Sequence, residues 1–232
     1  MLERQLMSNT ESKPDFLEQF VEKLLVRSVI LFGIVFLMMY LLDKRPSFWV
    51  PDSAIGAKTP LVMRGGDPYI RALMRTISAS ESNVRNPYAV LYGGDYAADL
   101  SKHPDRCVTI VAGPNTGNCT TAAGRYQFIT STWLEEARRY HLDPPTLLFW
   151  QGYSFSPEYQ DQVVYRWLND SQAWGVDLRQ SLKKGQISTV LQRLSGTWTS
   201  LGYGIEDNAN TSELPRVYRQ MLKEELGQAA KL

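Results

Sequence analysis

Glu81 is the residue of this sequence best placed to do acid–base chemistry. It follows an apolar series, Ile70, Leu73, Met74 and Ile77, whose i, i+3, i+4, i+7 spacing predicts the buried face of a helix. Four residues further along the same face lies Glu81. Burial disfavours an ionised carboxyl group, as does the C-terminal end of a helix dipole, so we expect a raised pKa. A carboxyl group that keeps its proton near neutral pH can act as a general acid.

The helix that carries Glu81 is predicted to begin at Asp67. Aspartate is a favoured N-cap, and Pro68 suits the first helical position. The spacing leaves an alternative open, in which Glu81 turns to solvent where the helix ends near Ser82 and Asn83.

Two cysteines follow the helix, and they bracket a predicted hairpin. Cys107 and Cys119 flank a strand-like stretch and the turn-rich residues 113–117, so they could face each other. In an oxidising compartment such a pair forms a disulfide, whereas in the cytosol it stays as two thiols. Their spacing does not decide between these two states.

The remainder of the chain is predicted to be helical, which gives an α+β fold that is mainly α. The predicted helices cover residues 130–140, 156–168, 177–184, 188–194 and 213–226.

The N-terminal part carries an apolar run at residues 24–42, interrupted only by Arg27 and Ser28. A helix of this length spans roughly 28 Å, close to the thickness of a bilayer core. Residues of mixed charge precede the run and no A-x-A-like site follows it, so a retained anchor is favoured over a cleaved signal peptide. The charges on the two sides do not set the orientation. The predicted organisation is a cytoplasmic or interfacial segment (1–23), a single transmembrane helix (24–42), a Pro- and Gly-rich linker (43–66) and a folded domain (67–232).

Composition excludes some classes of function. Lys and Arg total 25 against 24 Asp and Glu, which argues against a nucleic-acid-binding protein. A neutral polysaccharide remains compatible, because aromatic rings stack on sugars, although the same rings also fill cores. His103 and His141 have no acidic or Cys companions at ligand spacing, so we predict no metal and no cofactor.

Several motifs together point to one family. They are Ser80–Ser82, Tyr88–Asp95, Asp99–Pro104, Ala123–Gln127, and Ile187–Tyr203 with its Trp198–Leu201 core. In these motifs, from about Tyr69 to Leu226, the chain resembles the phage lambda endolysin family of lytic transglycosylases. The resemblance implies a lysozyme-like fold with a small β-hairpin lobe.

By that resemblance Glu81 is the catalytic acid of a peptidoglycan-degrading enzyme. It would protonate the β-1,4 glycosidic oxygen between N-acetylmuramic acid and N-acetylglucosamine, then accept a proton from the muramoyl C6 hydroxyl as that oxygen closes onto C1. The product would be a 1,6-anhydro sugar. Tyr126, Gln127 and Asp99 match family positions near the substrate. Arg125 does as well, although it could instead be structural and pair with a core carboxylate.

Two alternatives stay open. A lysozyme-type hydrolase would need a second carboxylate, for which Asp99 is a better candidate than Asp95. A non-catalytic module would hold peptidoglycan without cutting it. Unlike typical relatives, this chain has a predicted membrane segment and two cysteines. We therefore expect a monomeric single-pass membrane protein whose domain faces the periplasmic, extracytoplasmic side, and a phage or a cellular role remains open.

Overall fold

The computed structural model describes residues 55–111, 113, 115–145, 152–204 and 211–230. The predicted segments 1–23 and 24–42, and the first part of the predicted linker, lie outside these residues. No helix within the described ranges is both long and apolar enough to cross a membrane.

The described residues form a mainly helical structure with one small sheet. The eight helices of this part are α1 (Ile55–Lys58), α2 (Pro68–Glu81), α3 (Thr130–Tyr140), α4 (Pro157–Asn169), α5 (Ser171–Trp174), α6 (Leu178–Lys183), α7 (Ile187–Leu194) and α8 (Leu214–Ala229). Three 3-10 turns cover Pro87–Ala89, Thr199–Leu201 and Thr211–Glu213, and two strands, β1 (Val108–Thr109) and β2 (Cys119–Thr120), form the sheet. The helices predicted between residues 67 and 226 are all present to within a few residues.

Helix α2 is the central element and begins as the sequence predicts. The Asp67 carboxylate accepts hydrogen bonds from the backbone N–H groups of Tyr69 and Ile70. Helix α8 packs against α2, and its buried Glu225 pairs with Arg71 at 2.5 Å and with Arg75 at 3.1 Å. The side chains of Glu225 and Arg75 are buried and that of Arg71 is largely buried, so these ion pairs fix the position of α2 against α8.

The predicted hairpin is present, and a disulfide closes it. Strands β1 and β2 pair antiparallel, with Val108 opposite Thr120 and Thr109 opposite Cys119. Cys107 and Cys119 are joined, with their Cα atoms 5.5 Å apart.

The structured part begins earlier than the Asp67 boundary read from the sequence. Ala57, Leu61 and Met63 belong to the hydrophobic core, although they lie within the predicted linker of residues 43–66. The carbonyl of Ala57 also accepts a hydrogen bond from Arg75 at 2.8 Å. From Ala57 to Met63, the part of the predicted linker that the core includes is packed rather than free.

A buried carboxylate, Asp161 on α4, fastens this early segment to the core. Its Oδ2 accepts hydrogen bonds from the backbone N–H groups of Val62 at 2.7 Å and Met63 at 3.1 Å, and from the Tyr88 hydroxyl at 2.8 Å. Its Oδ1 accepts from the Tyr126 hydroxyl at 2.7 Å. Burial raises the pKa of Asp161, while the charge of Arg125 and these donors act in the opposite direction.

Arg125 completes the same network from the other side. Its guanidinium donates to the carbonyls of Thr59 at 2.7 Å and Pro60 at 3.0 Å, and to the Tyr88 hydroxyl at 3.0 Å. The side chain is fully buried. The cation and Asp161 therefore hold the irregular segment together from opposite ends of one hydrogen-bonded chain.

We expect Asp161→Ala to destabilise the fold by about 3–5 kcal/mol, because it leaves the buried Arg125 without its countercharge and removes an acceptor that four hydrogen-bond donors share. Urea denaturation followed by circular dichroism measures this loss. Asp143→Ala, at an exposed carboxylate, is the control. An Asp161→Ala midpoint equal to that of the control would contradict the assigned role of the network.

Candidate active site

Glu81 is the last residue of α2 and lies half-buried in a cleft of about 770 Å³. One side of the cleft is formed by the hairpin region, including Ile110, Asn115 and Thr120. The turn at residues 126–128 and the 3-10 turn Thr199–Leu201 contribute to the rest. The predicted alternative, a Glu81 that simply turns into bulk solvent, does not describe this position.

A serine from the far end of the chain contacts the Glu81 carboxyl group. The Ser200 hydroxyl donates a hydrogen bond to Oε1 of Glu81. The Ser80 hydroxyl in turn donates to the Ser200 carbonyl at 2.6 Å. The sequence pattern gives no indication of this contact, although Ser200 lies inside the Trp198–Leu201 motif.

Gln127 occupies a tight turn on the cleft wall. Its backbone has a φ of 46°, and its side-chain amide nitrogen donates to the carbonyls of Gly124 at 2.9 Å and Val90 at 3.3 Å. Gly124 is required there, because its φ is 75° and a Cβ would lie 2.7 Å from the Phe155 ring. With its nitrogen engaged, Gln127 presents its carbonyl oxygen as the group available to a ligand.

Tyr126 lines the cleft but directs its phenol into the core. The ring is fully buried, and burial together with Asp161 raises the pKa of the hydroxyl well above its usual value. The Tyr126 carbonyl accepts a hydrogen bond from the Trp198 indole at 3.1 Å. Tyr126 therefore shapes the cleft through its backbone, and the phenol expected to meet substrate is used within the core.

Two other predicted binding residues lie away from the cleft lining. Arg125 makes the contacts expected of a structural residue rather than a substrate-binding one. Its buried guanidinium faces residues 59–60 and the Asp161 network. Asp99 is exposed, and its carboxylate accepts hydrogen bonds from the Ser101 N–H at 2.8 Å and hydroxyl at 3.0 Å, which lower its pKa. Asp95 is also exposed and pairs with Arg106 at 3.3 Å.

The acidic residues that line the described cleft are limited to one. Among the described residues that line the cleft, Glu81 is the only carboxylate. Within the described ranges, no group of three or more His, Cys, Asp or Glu side chains is arranged to hold a metal ion. The arrangement offers one acid, held by a hydroxyl and faced by amide and hydroxyl groups, which suits proton transfer to a polar uncharged ligand.

Comparisons with known proteins agree with this architecture. Bacteriophage lambda lysozyme in complex with a chitohexasaccharide matches with a TM-score of 0.50 and 25% identity, covering 68% of this chain and 97% of that one. A second structure of lysozyme from bacteriophage lambda matches with a TM-score of 0.48 and 24% identity, over 70% of this chain and 97% of that one. No curated protein sequence matches the chain. A family model described as Endolysin matches residues 71–224, a span that contains Glu81 and the whole cleft lining; the chain therefore belongs to the endolysin family.

Proposed function

We propose that this chain is a peptidoglycan-cleaving glycosidase that acts as a lytic transglycosylase with Glu81 as its acid and base. Membership of the endolysin family and the likeness to a lysozyme solved with a chitohexasaccharide support cleavage of a glycan strand. The lytic transglycosylase mechanism is supported by one observation: Glu81 is the single carboxylate of the described cleft lining.

The chemistry needs one group that gives a proton and later takes one. Glu81 protonates the glycosidic oxygen between N-acetylmuramic acid and N-acetylglucosamine. The positive charge that develops at C1 is met by the C6 hydroxyl oxygen of the same sugar, and Glu81 accepts the proton of that hydroxyl. The C1–O bond to the leaving sugar breaks as the C6–O–C1 bond forms, so no water is consumed and the acid is regenerated.

Hydrolysis receives less support from the described geometry. Glycoside hydrolases with two carboxylates place the second one at roughly 5–9.5 Å from the first, on the opposite side of the sugar. The two aspartates considered for that task, Asp95 and Asp99, are exposed and do not line the cleft. Each is already engaged by Arg106 or Ser101. A hydrolase would therefore have to orient its water without either of them.

Gln127 is the best-supported binding residue of the predicted set. Its carbonyl oxygen can accept a hydrogen bond from the N–H of an acetamido group, which every sugar of the strand carries. Because Gly124 and Val90 fix the amide nitrogen, the acceptor is preorganised. Tyr126 and Arg125 support the site indirectly through the buried network, whereas the carboxylate of Asp99 binds Ser101 in an exposed turn.

Replacement of Glu81 by Gln removes the transferable proton at nearly constant shape. We expect the rate of clearing of purified cell walls to fall at least about 100-fold, since general acid–base catalysis contributes at least this much. Turbidity loss of a cell-wall suspension measures the rate. Glu135→Gln, at an exposed glutamate paired with Arg139, is the matched control and should clear at the parental rate.

The same variant separates an enzyme from a binding module. Glu81→Gln should still sediment with insoluble peptidoglycan, because the cleft keeps its shape. Clearing by Glu81→Gln at the parental rate would overturn the assignment of Glu81, and absence of clearing by the parent would favour the binding module.

Product masses distinguish lyase from hydrolase. We expect muropeptides released by the parent to end in 1,6-anhydro-N-acetylmuramic acid, lighter by one water than a reducing end. Mass spectrometry of a complete digest measures the two kinds of end, with a hen-type lysozyme digest of the same walls as the reducing-end reference. A parental digest made up of reducing ends would establish hydrolysis instead.

We also propose that residues 24–42 anchor the chain in a membrane, with the catalytic domain on the periplasmic side where peptidoglycan lies. The support is the length and hydrophobicity of that segment and the disulfide between Cys107 and Cys119, which suits an oxidising compartment.

Placing two charges at the centre of the segment tests the anchor. We expect Ile34→Asp combined with Phe36→Asp to shift the protein from the carbonate-resistant membrane fraction to the supernatant, since each aspartate costs about 3 kcal/mol in a bilayer core. Ile34→Val with Phe36→Leu is the control and should stay with the membranes. Equal distribution of the two double variants would contradict the anchor.

A further inference from the structure

Ser200 contacts the carboxyl group of Glu81 directly in the described cleft. It lies in the 3-10 turn Thr199–Leu201, and its hydroxyl donates to Oε1 of Glu81 across 119 positions of sequence. Hydrogen bonds to a charged carboxylate are stronger than those between neutral groups. The contact therefore constrains the side chain on which the chemistry depends.

A second serine directs the hydroxyl of Ser200. Ser80 donates to the Ser200 carbonyl at 2.6 Å, and the two hydroxyl oxygens lie 2.9 Å apart. Because Ser80 precedes Glu81 in the chain, this contact joins the end of α2 to the 3-10 turn. The residue after Glu81 is fixed on the other side, where the Ser82 hydroxyl donates to the Arg125 carbonyl at 2.6 Å. Glu81 is thus held between two anchored neighbours.

Building on the proposed function, we propose that Ser200 is a positioning residue that fixes the carboxyl group of Glu81 and directs its proton to Oε2. In a neutral carboxyl group the carbonyl oxygen is the better hydrogen-bond acceptor. An Oε1 atom that accepts from Ser200 therefore takes the carbonyl role, and the proton resides on the other oxygen. Ser80 supports this arrangement by holding the backbone of Ser200. Neither serine exchanges its own proton with substrate.

The other titratable groups of the site are few. Among the described residues that line the cleft they are Tyr92 and Tyr126, and the Tyr126 phenol donates to Asp161. Within this lining, Glu81 is therefore the group whose protonation we expect to govern the dependence of activity on pH. The Ser200 hydroxyl stabilises the ionised form of that group, so its removal should extend the protonated form to higher pH.

The test compares Ser200→Ala with Ser200→Thr in the purified full-length chain. We expect Ser200→Ala to lower kcat about 10-fold to 100-fold with little change in KM, the loss typical of a hydrogen bond to a charged group. The alkaline limb of its kcat–pH profile should move to higher pH. Ser200→Thr keeps the hydroxyl, so it should recover most of the rate and should keep the alkaline limb of the kcat–pH profile at the parental pH. Ser80→Ala should show a smaller loss of kcat in the same direction.

Controls separate this proposal from the function on which it rests. Ser181→Ala, at a serine on α6 outside the cleft lining, should match the parent in rate and thermal midpoint. A parental kcat and pH profile in Ser200→Ala would overturn the positioning role while leaving Glu81 in place. Equal losses in Ser200→Ala and Ser200→Thr with an unmoved limb would overturn it as well. An active Glu81→Gln in the same assay would instead overturn the catalytic assignment and this inference together.

Discussion

The proposed function requires a Glu81 carboxyl group that is partly removed from water and can still reach a bulky polymer. Glu81 meets both demands because it ends a helix whose preceding turns are buried, so the chain emerges from the core at that residue. A carboxyl group deeper in α2 would be enclosed, and one in a loop would be solvated. The N-cap at Asp67 and the ion pairs of Glu225 fix where α2 begins and lies, and they thereby fix where its last residue emerges.

The turn at residues 124–127 links stability to the site. Arg125 and Tyr126 direct their side chains into the Asp161 network, while Gln127 faces the cleft and the Arg125 carbonyl binds Ser82 beside Glu81. Neighbouring residues of one motif thus serve different purposes. The conformation depends on Gly124, whose positive φ and close contact with Phe155 leave no space for a side chain.

The helices and the hairpin were predictable from the sequence, whereas the contacts between residues distant in the chain were not. Periodicity and capping located α2, and Glu81 at its end, because those signals are local. The division of labour within residues 125–127 was not predictable, since which side of a tight turn faces the core depends on distant Asp161 and Tyr88. Ser200 was missed for the same reason, because its partner lies 119 positions away. The core position of Leu61 and Met63 was hidden by surrounding prolines and glycines, which mark irregular backbone whether or not it is packed.

In the proposed mechanism, a described cleft lining with Glu81 as its single carboxylate leaves the sugar's own hydroxyl, and not water, to capture C1. Digestion of peptidoglycan in water enriched in oxygen-18 tests this most directly, because only hydrolysis transfers a solvent oxygen to the new glycan end. For a lytic transglycosylase we expect the glycan ends released by the chain to carry no oxygen-18. One oxygen-18 atom at each new end would contradict it and would require an activated water beside Glu81.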